Sequence, residues 1–149
     1  MEDKMGAADR NEMISYLQII EGTIDRMGSN SAVLKGFSAA VLAGISALAS
    51  ISDVSVIIIA ISLFPIILFG YLDAKYLQVE KKYRILYDQV RLGEKFIDFS
   101  MKTNFTTTEL KEKKATLCDA VRSWSVWPFY GVSVFIGLAL VILKCKGCI

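Results

Sequence analysis

The chain has 149 residues, 54% of them hydrophobic, and its 17 Lys and Arg against 15 Asp and Glu leave a formal charge of +2. It has no His, no glycine-rich phosphate loop, no nucleophile elbow and no ligand set for a structural metal, so catalytic and metal-binding residues are both read as none. An enzyme, a bound cofactor and direct DNA binding are not expected.

Residues 1–35 mix acidic and basic residues, and within them Met13, Leu17, Ile20, Ile24 and Met27 recur at alternating spacings of four and three. That spacing predicts an amphipathic helix of coiled-coil type. The first hydrophobic segment starts near residue 36 and no small-residue cleavage site precedes the second span, so a removable signal peptide is not expected.

Residues 36–72 carry a single charge, Asp53, near the midpoint. As one helix the run would be roughly 55 Å long, well beyond a hydrocarbon core of ~30 Å. Two shorter spans fit, so a transmembrane hairpin turning at residue 53 is predicted. Lys35 and Asp73 each lie about 19 residues from that turn and should emerge at one depth on adjacent helices. Either they pair there, or Lys35 snorkels and Asp73 only marks the end of the apolar run.

The first span is rich in small residues, with Gly36, Ala40 and Gly44 spaced by four and Ser38, Ser46 and Ser50 among them. Such spacing lets helices approach closely inside lipid. The partner is either spans two and three of the same chain, or further subunits around a path lined by Ser38, Ser46, Ser50 and, at its outer mouth, Asp53. The second span has a bulky lipid-type surface, and Pro65 in its interior should bend it.

Residues 73–122 read as a polar helical region. Tyr76, Val79, Tyr83, Leu86 and Val90 repeat the four-three spacing, and no Gly or Pro interrupts Tyr71 to Leu92. Span two is therefore expected to continue as one rod of some 45 residues, with the N-terminal helix alongside it. Thr106 and Glu109 have capping-box spacing, opening a short charged helix through Arg122. Lys81, Lys82, Arg84, Tyr87 and Arg91 combine cations with an aromatic ring, joined by Tyr83 and Lys95. They suit either a nucleotide or an anionic leaflet. Glu80 to Arg84 and Arg84 to Asp88 are also helix neighbours at spacing four, which reads as a solvated face.

Residues 126–143 form a third apolar run, opened by Trp124, Trp127, Pro128, Phe129 and Tyr130, the pattern of an interfacial aromatic belt. Residues 144–149 read as a frayed tail. Its Cys145 and Cys148 form a lone C-x-x-C, and Cys118 stands alone. Eleven of the 17 basic residues fall between Lys75 and Arg122, four between Lys4 and Lys35, and two in the tail. That bias places the N-terminus in the cytoplasm and the C-terminus outside. The fold class is thus all-α, an integral membrane protein with a helical hairpin, a third span and coiled-coil-like cytoplasmic helices.

The strings Asp25-Arg26-Met27-Gly28-Ser29-Asn30-Ser31 with Lys35-Gly36, and Leu72-Asp73-Ala74-Lys75-Tyr76-Leu77 with Glu80, Tyr83-Arg84, Leu86-Tyr87-Asp88 and Val90-Arg91, carry a resemblance over roughly residues 10–92. They look like a family of small prokaryotic multi-pass membrane proteins, similar to SLATT-type effectors and the Hailong membrane effector of nucleotide-signalling antiphage systems. The resemblance implies a homo-oligomer in the bacterial inner membrane. It would be switched by a cyclic or linear oligonucleotide from a neighbouring nucleotidyltransferase, and would depolarise the membrane by opening an ion path. The alternative is a membrane-anchored adaptor or sensor whose helices bind another protein without conducting.

Overall fold

The computed structural model describes residues 7–51 and 53–147, and every regular element among them is a helix. In chain order these are α1 (Ala7–Ala49), α2 (Val56–Ile61), α3 (Phe64–Arg91), α4 (Thr107–Glu112), α5 (Leu117–Val121) and α6 (Trp127–Cys145). Three stretches are long and apolar enough to cross a membrane: Asp9–Ala49, Val56–Arg91 and Trp127–Cys145. The protein is all-α, with the character of a multi-pass membrane protein.

No helix boundary occurs at residue 35. The polar N-terminal helix and the first apolar span are one α1 of 43 residues. Gly22, Gly28, Gly36 and Gly44 lie inside it. Each weakens a helix by only about 1 kcal/mol relative to Ala, and no proline is present to end it. The chain turns between Ala49 and Val56, in a segment that contains Asp53, and Ser55 caps α2 by accepting from the Ile57 N–H at 3.3 Å.

The expected 45-residue rod is divided. α2 and α3 are separate helices joined through Ser62 and Leu63, with Pro65 in the first turn of α3. Proline has no N–H to give the carbonyl of Ile61, and its ring crowds that carbonyl, so the anticipated bend becomes a break. α3 then runs 28 residues and stops where Gly93 takes a positive φ of 71°, the left-handed conformation that commonly ends helices.

The charged segment before the third span is also divided, into α4 and α5. Thr106 and Glu109 form the expected capping box: the Thr106 N–H donates to the Glu109 carboxylate at 2.7 Å and the Glu109 N–H to the Thr106 hydroxyl at 3.3 Å. A second box, Thr116 with Asp119, opens α5. Lys114 interrupts the two with a φ of 50°, and the Ala115 N–H closes α4 onto the Leu110 carbonyl at 2.7 Å. These bonds hold the Glu109 and Asp119 carboxyls below the usual carboxylate range.

Two cores follow from this layout. At the polar end, Tyr16 and Ile20 of α1 bury against Leu86 and Val90 of α3, flanked by Met13, Leu17, Ile24 and Tyr83. The two four-three stripes thus face each other within one chain. The Tyr16 hydroxyl donates to the Ser100 carbonyl at 2.5 Å and its ring meets Phe99 at 5.3 Å, tying the segment after α3 to α1. In the apolar half, Ile45, Ala49, Ile59, Leu63, Ile66 and Tyr130 form the second core. Here α6 packs tightly on Leu63 at Gly137, where an added Cβ would lie 2.1 Å from Leu63 Cδ2.

The tail is not frayed over its described residues. α6 continues through Cys145, and Lys144 is buried, donating to the carbonyls of Ala49 at 3.0 Å and Ile51 at 2.6 Å. The third helix therefore ends beside the hairpin turn, at the opposite end of the bundle from the polar clamp.

Candidate functional site

Where the apolar half begins, α1, α3 and α6 each contribute polar side chains to one place. Lys35 of α1 pairs with Asp73 of α3 at 2.7 Å, and the Lys35 ammonium also donates to the Ser31 hydroxyl at 2.6 Å. Asp73 is completely buried, and Lys35 reaches it from a position still 22% exposed. The equal distances of these two residues from the hairpin turn therefore do bring them together.

Two more groups join the pair. Ser38, one turn beyond Lys35, is completely buried, and Tyr130 of α6 places its hydroxyl beside both Ser38 and Asp73. None of these contacts closes with aligned hydrogen-bond geometry. The Ser38 hydroxyl, both Asp73 oxygens and the Tyr130 hydroxyl are the buried side-chain polar atoms among the described residues without a hydrogen-bond partner. The Lys35 contact to Asp73 is thus charge attraction at short range, with the remaining acceptor capacity of the carboxylate unmet.

Ser38 consequently lines no open face of the chain, which corrects its assignment as a path-lining residue. It sits on the inward side of α1 with Ile45 and Ala49. Gly36, Ala40 and Gly44 lie on the outward side, and a Cβ at either glycine would meet nothing within 4 Å. The small-residue stripe is a free surface of the chain. Ser46 is half-buried and, with Ala39, Ala43, Phe129 and Ser133, borders a groove of about 690 Å³ between α1 and α6. Ser50 and Asp53 are exposed near the turn.

The basic residues of α3 are largely engaged. Lys81 donates to the Lys114 carbonyl at 3.0 Å, Arg84 pairs with Glu80 at 2.8 Å, and Arg91 pairs with Asp88 at 3.3 Å. Lys82 is half-buried on the same helix. Arg84 and Tyr87 line a cleft of about 420 Å³ against α1, together with Glu21, Asp25 and Asp88. Three carboxylates around one arginine make this cleft acidic, unlike the cationic patch that the α3 sequence suggests when read alone.

Two of the buried polar side chains were not legible as such. Tyr130 reads as a belt residue and Lys144 as tail, yet both are buried on α6 together with Ser133 and Gly137. The signal was their spacing of three, four and seven, a small-and-polar seam on an otherwise bulky helix. Trp124 and Trp127 do point outward, at 89% and 66% exposure, as belt residues should. Cys118 and Cys145 are exposed free thiols, and Cys148 of the C-x-x-C lies outside the described residues. Among the described residues no group of His, Cys, Asp and Glu could hold a metal ion.

Comparison of the chain with protein-family models, with curated proteins and with solved structures yields no match.

Proposed function

We propose that this chain is a self-assembling membrane effector that opens an ion path, with the α1–α3 clamp at the polar end receiving the signal. The observation that carries this reading is the Gly36, Ala40 and Gly44 face of α1. It is open in the protomer and shaped for close helix contact, and inside lipid such a face gains its packing from another helix. Packing copies through it would bring Ser46 and Ser50 toward the axis of a ring, with Asp53 at one mouth favouring cations.

The single α1 helix supports a mechanism for switching, because the clamp and the membrane face are parts of one continuous rod. The resemblance to nucleotide-signalled effectors supplies the class of trigger. Arg91 is paired with Asp88 at the surface, where an ion pair contributes about 0–1 kcal/mol, so a phosphate could take over from Asp88 there at small cost. Inner-membrane location with the clamp in the cytoplasm belongs to the same proposal, resting on the eleven basic residues between Lys75 and Arg122.

The test is the mass of the protein in nanodiscs, followed by ion flux from liposomes with and without cyclic and linear oligonucleotides. A closed ring of three or more copies and oligonucleotide-dependent flux are expected. Gly44→Leu should leave a folded protomer that neither assembles nor conducts. A monomer with native folding and no flux would overturn the reading. One observation favours an adaptor instead: Leu92 and Phe96, just past α3, are 62% and 93% exposed and offer an apolar spot to a protein partner.

A further inference from the structure

Grooves open on both sides of α6, one against α1 and another, of about 540 Å³, against α3. No residue lining the α3–α6 groove is charged. Its depth comes from two glycines: Gly70 lets the Tyr130 ring seat against α3, where an added Cβ would lie 3.1 Å from Tyr130 Cγ, and Gly131 leaves a gap beside Trp127. Along α6 the groove runs from Trp127 to Leu138, roughly 16 Å at the helical rise per residue, or about half of a ~30 Å hydrocarbon core. It is one leaflet deep.

The mouth of this groove supplies an independent sign, because two cations stand there. Lys75, one turn beyond the lining residue Tyr71, holds its ammonium 5.7 Å from the Tyr71 ring centroid, and the exposed Arg122 directly follows the lining residue Val121. Among the described residues neither makes an ion pair. The carboxylates of the same elements are committed elsewhere, Asp73 to Lys35 and Asp119 to its cap on Thr116. The α1–α6 groove differs in this respect: Lys35, one turn before its lining residue Ala39, is already neutralised by Asp73.

An uncharged trough one leaflet deep, topped by unpaired cations, suits a molecule with an apolar chain and an anionic head. We propose that the α3–α6 groove binds an acyl chain of an anionic phospholipid, with Lys75 and Arg122 drawing its phosphate to the mouth. Tyr71 and Trp127 stand at that mouth, where amphipathic rings meet the headgroup level of a membrane. Charge selects the lipid, since a zwitterionic headgroup would bring its own ammonium to the same two cations. A second copy of the chain fits less well: its apolar spans carry no free carboxylate to this level, Asp53 lying at the far turn and Asp73 being buried. The site rests on the membrane-spanning part of the proposed function and not on conduction.

The experiment is native mass spectrometry of the delipidated protein in mild detergent, titrated with phosphatidylglycerol and with phosphatidylcholine of the same acyl chains. One phosphatidylglycerol per chain is expected, bound roughly 30-fold more tightly than phosphatidylcholine, and Lys75→Gln with Arg122→Gln should abolish that preference. Gly131→Leu should fill the groove and lose both lipids. Its Cβ would sit 3.7 Å from the Trp127 ring, in ordinary contact, so helical circular dichroism and Tm should stay close to those of the native protein. Equal affinity for the two lipids, a preference that survives the double substitution, or full binding by Gly131→Leu would each overturn the proposal. A lipid-free dimer that Gly131→Leu splits would overturn it in favour of a second copy. Release of the protein from native membranes by alkaline carbonate would overturn the membrane reading along with it.

Discussion

Lys144, three residues from the last described position, donates its ammonium proton to the carbonyl of Ala49 at 3.0 Å, and so caps the C-terminus of a helix 95 residues earlier in the chain. The last carbonyls of a helix have no partner within it and carry its negative dipole end, so a buried cation there is doubly favourable. Removing it with Lys144→Met should cost about 1.5–3 kcal/mol, the range for a hydrogen bond to a charged group. Lys144→Arg should retain part of that. Thermal unfolding in detergent measures both, and an unchanged Tm for Lys144→Met would show that the cap is not formed.

Breaking the Lys35–Asp73 pair from the lysine side leaves a completely buried carboxylate without its cation. Lys35→Met should therefore destabilise by about 3–5 kcal/mol, whereas Lys35→Met with Asp73→Asn should recover most of the loss because no unpaired charge remains. Equal losses in the two variants would mean that charge is not what matters there.

Gly137 lets α6 approach Leu63. With a Cβ placed 2.1 Å from Leu63 Cδ2, Gly137→Ala forces that buried leucine into another rotamer. The expected cost is about 1–3 kcal/mol. Adding Leu63→Ala should relieve the overlap, so the double variant should lose less than the sum of the singles in chemical denaturation.

Tyr16 gives the polar end an alkaline limit. Burial foremost, then the charge of Asp98 and a hydrogen bond to it, raise its phenol above the usual tyrosine value. In the unfolded chain that phenol ionises near pH ~10. The stabilisation is therefore complete below that pH and is lost as pH rises through the higher folded value. The protection of residues 92–105 against hydrogen exchange, relative to the intrinsic rate at each pH, should fall across that window in the native protein. In Tyr16→Phe that alkaline fall in protection should be absent, with a loss at neutral pH of about 0.5–1.5 kcal/mol for the Ser100 hydrogen bond.

Much of the architecture was readable before any coordinates. Two apolar runs separated by Asp53, and a third after Arg122, announce three spans because lipid tolerates so few charges. The four-three stripes of residues 13–27 and 76–90 meet as their spacing suggests, although Tyr16 and Thr23, outside the stripe as read, are buried more deeply than Met13 or Met27. The helix boundaries were less legible. Residue 35 looked like one because composition changes there, but a helix ends where its backbone bonds end, and Lys35 and Gly36 lose none.

Composition and spacing along the chain determined the class of this protein: all-helical, with three helices long and apolar enough to cross a membrane. Only the tertiary structure decided which way each helix is turned about its own axis. Ser38 and Gly36 are two residues apart on α1, yet one faces Asp73 and Tyr130 while the other faces outward with open space before it. Local sequence specifies that a helix forms and which residues share a side of it. The side that turns inward is chosen by the groups on the other helices, and those lie 35 and 92 residues further along at Asp73 and Tyr130.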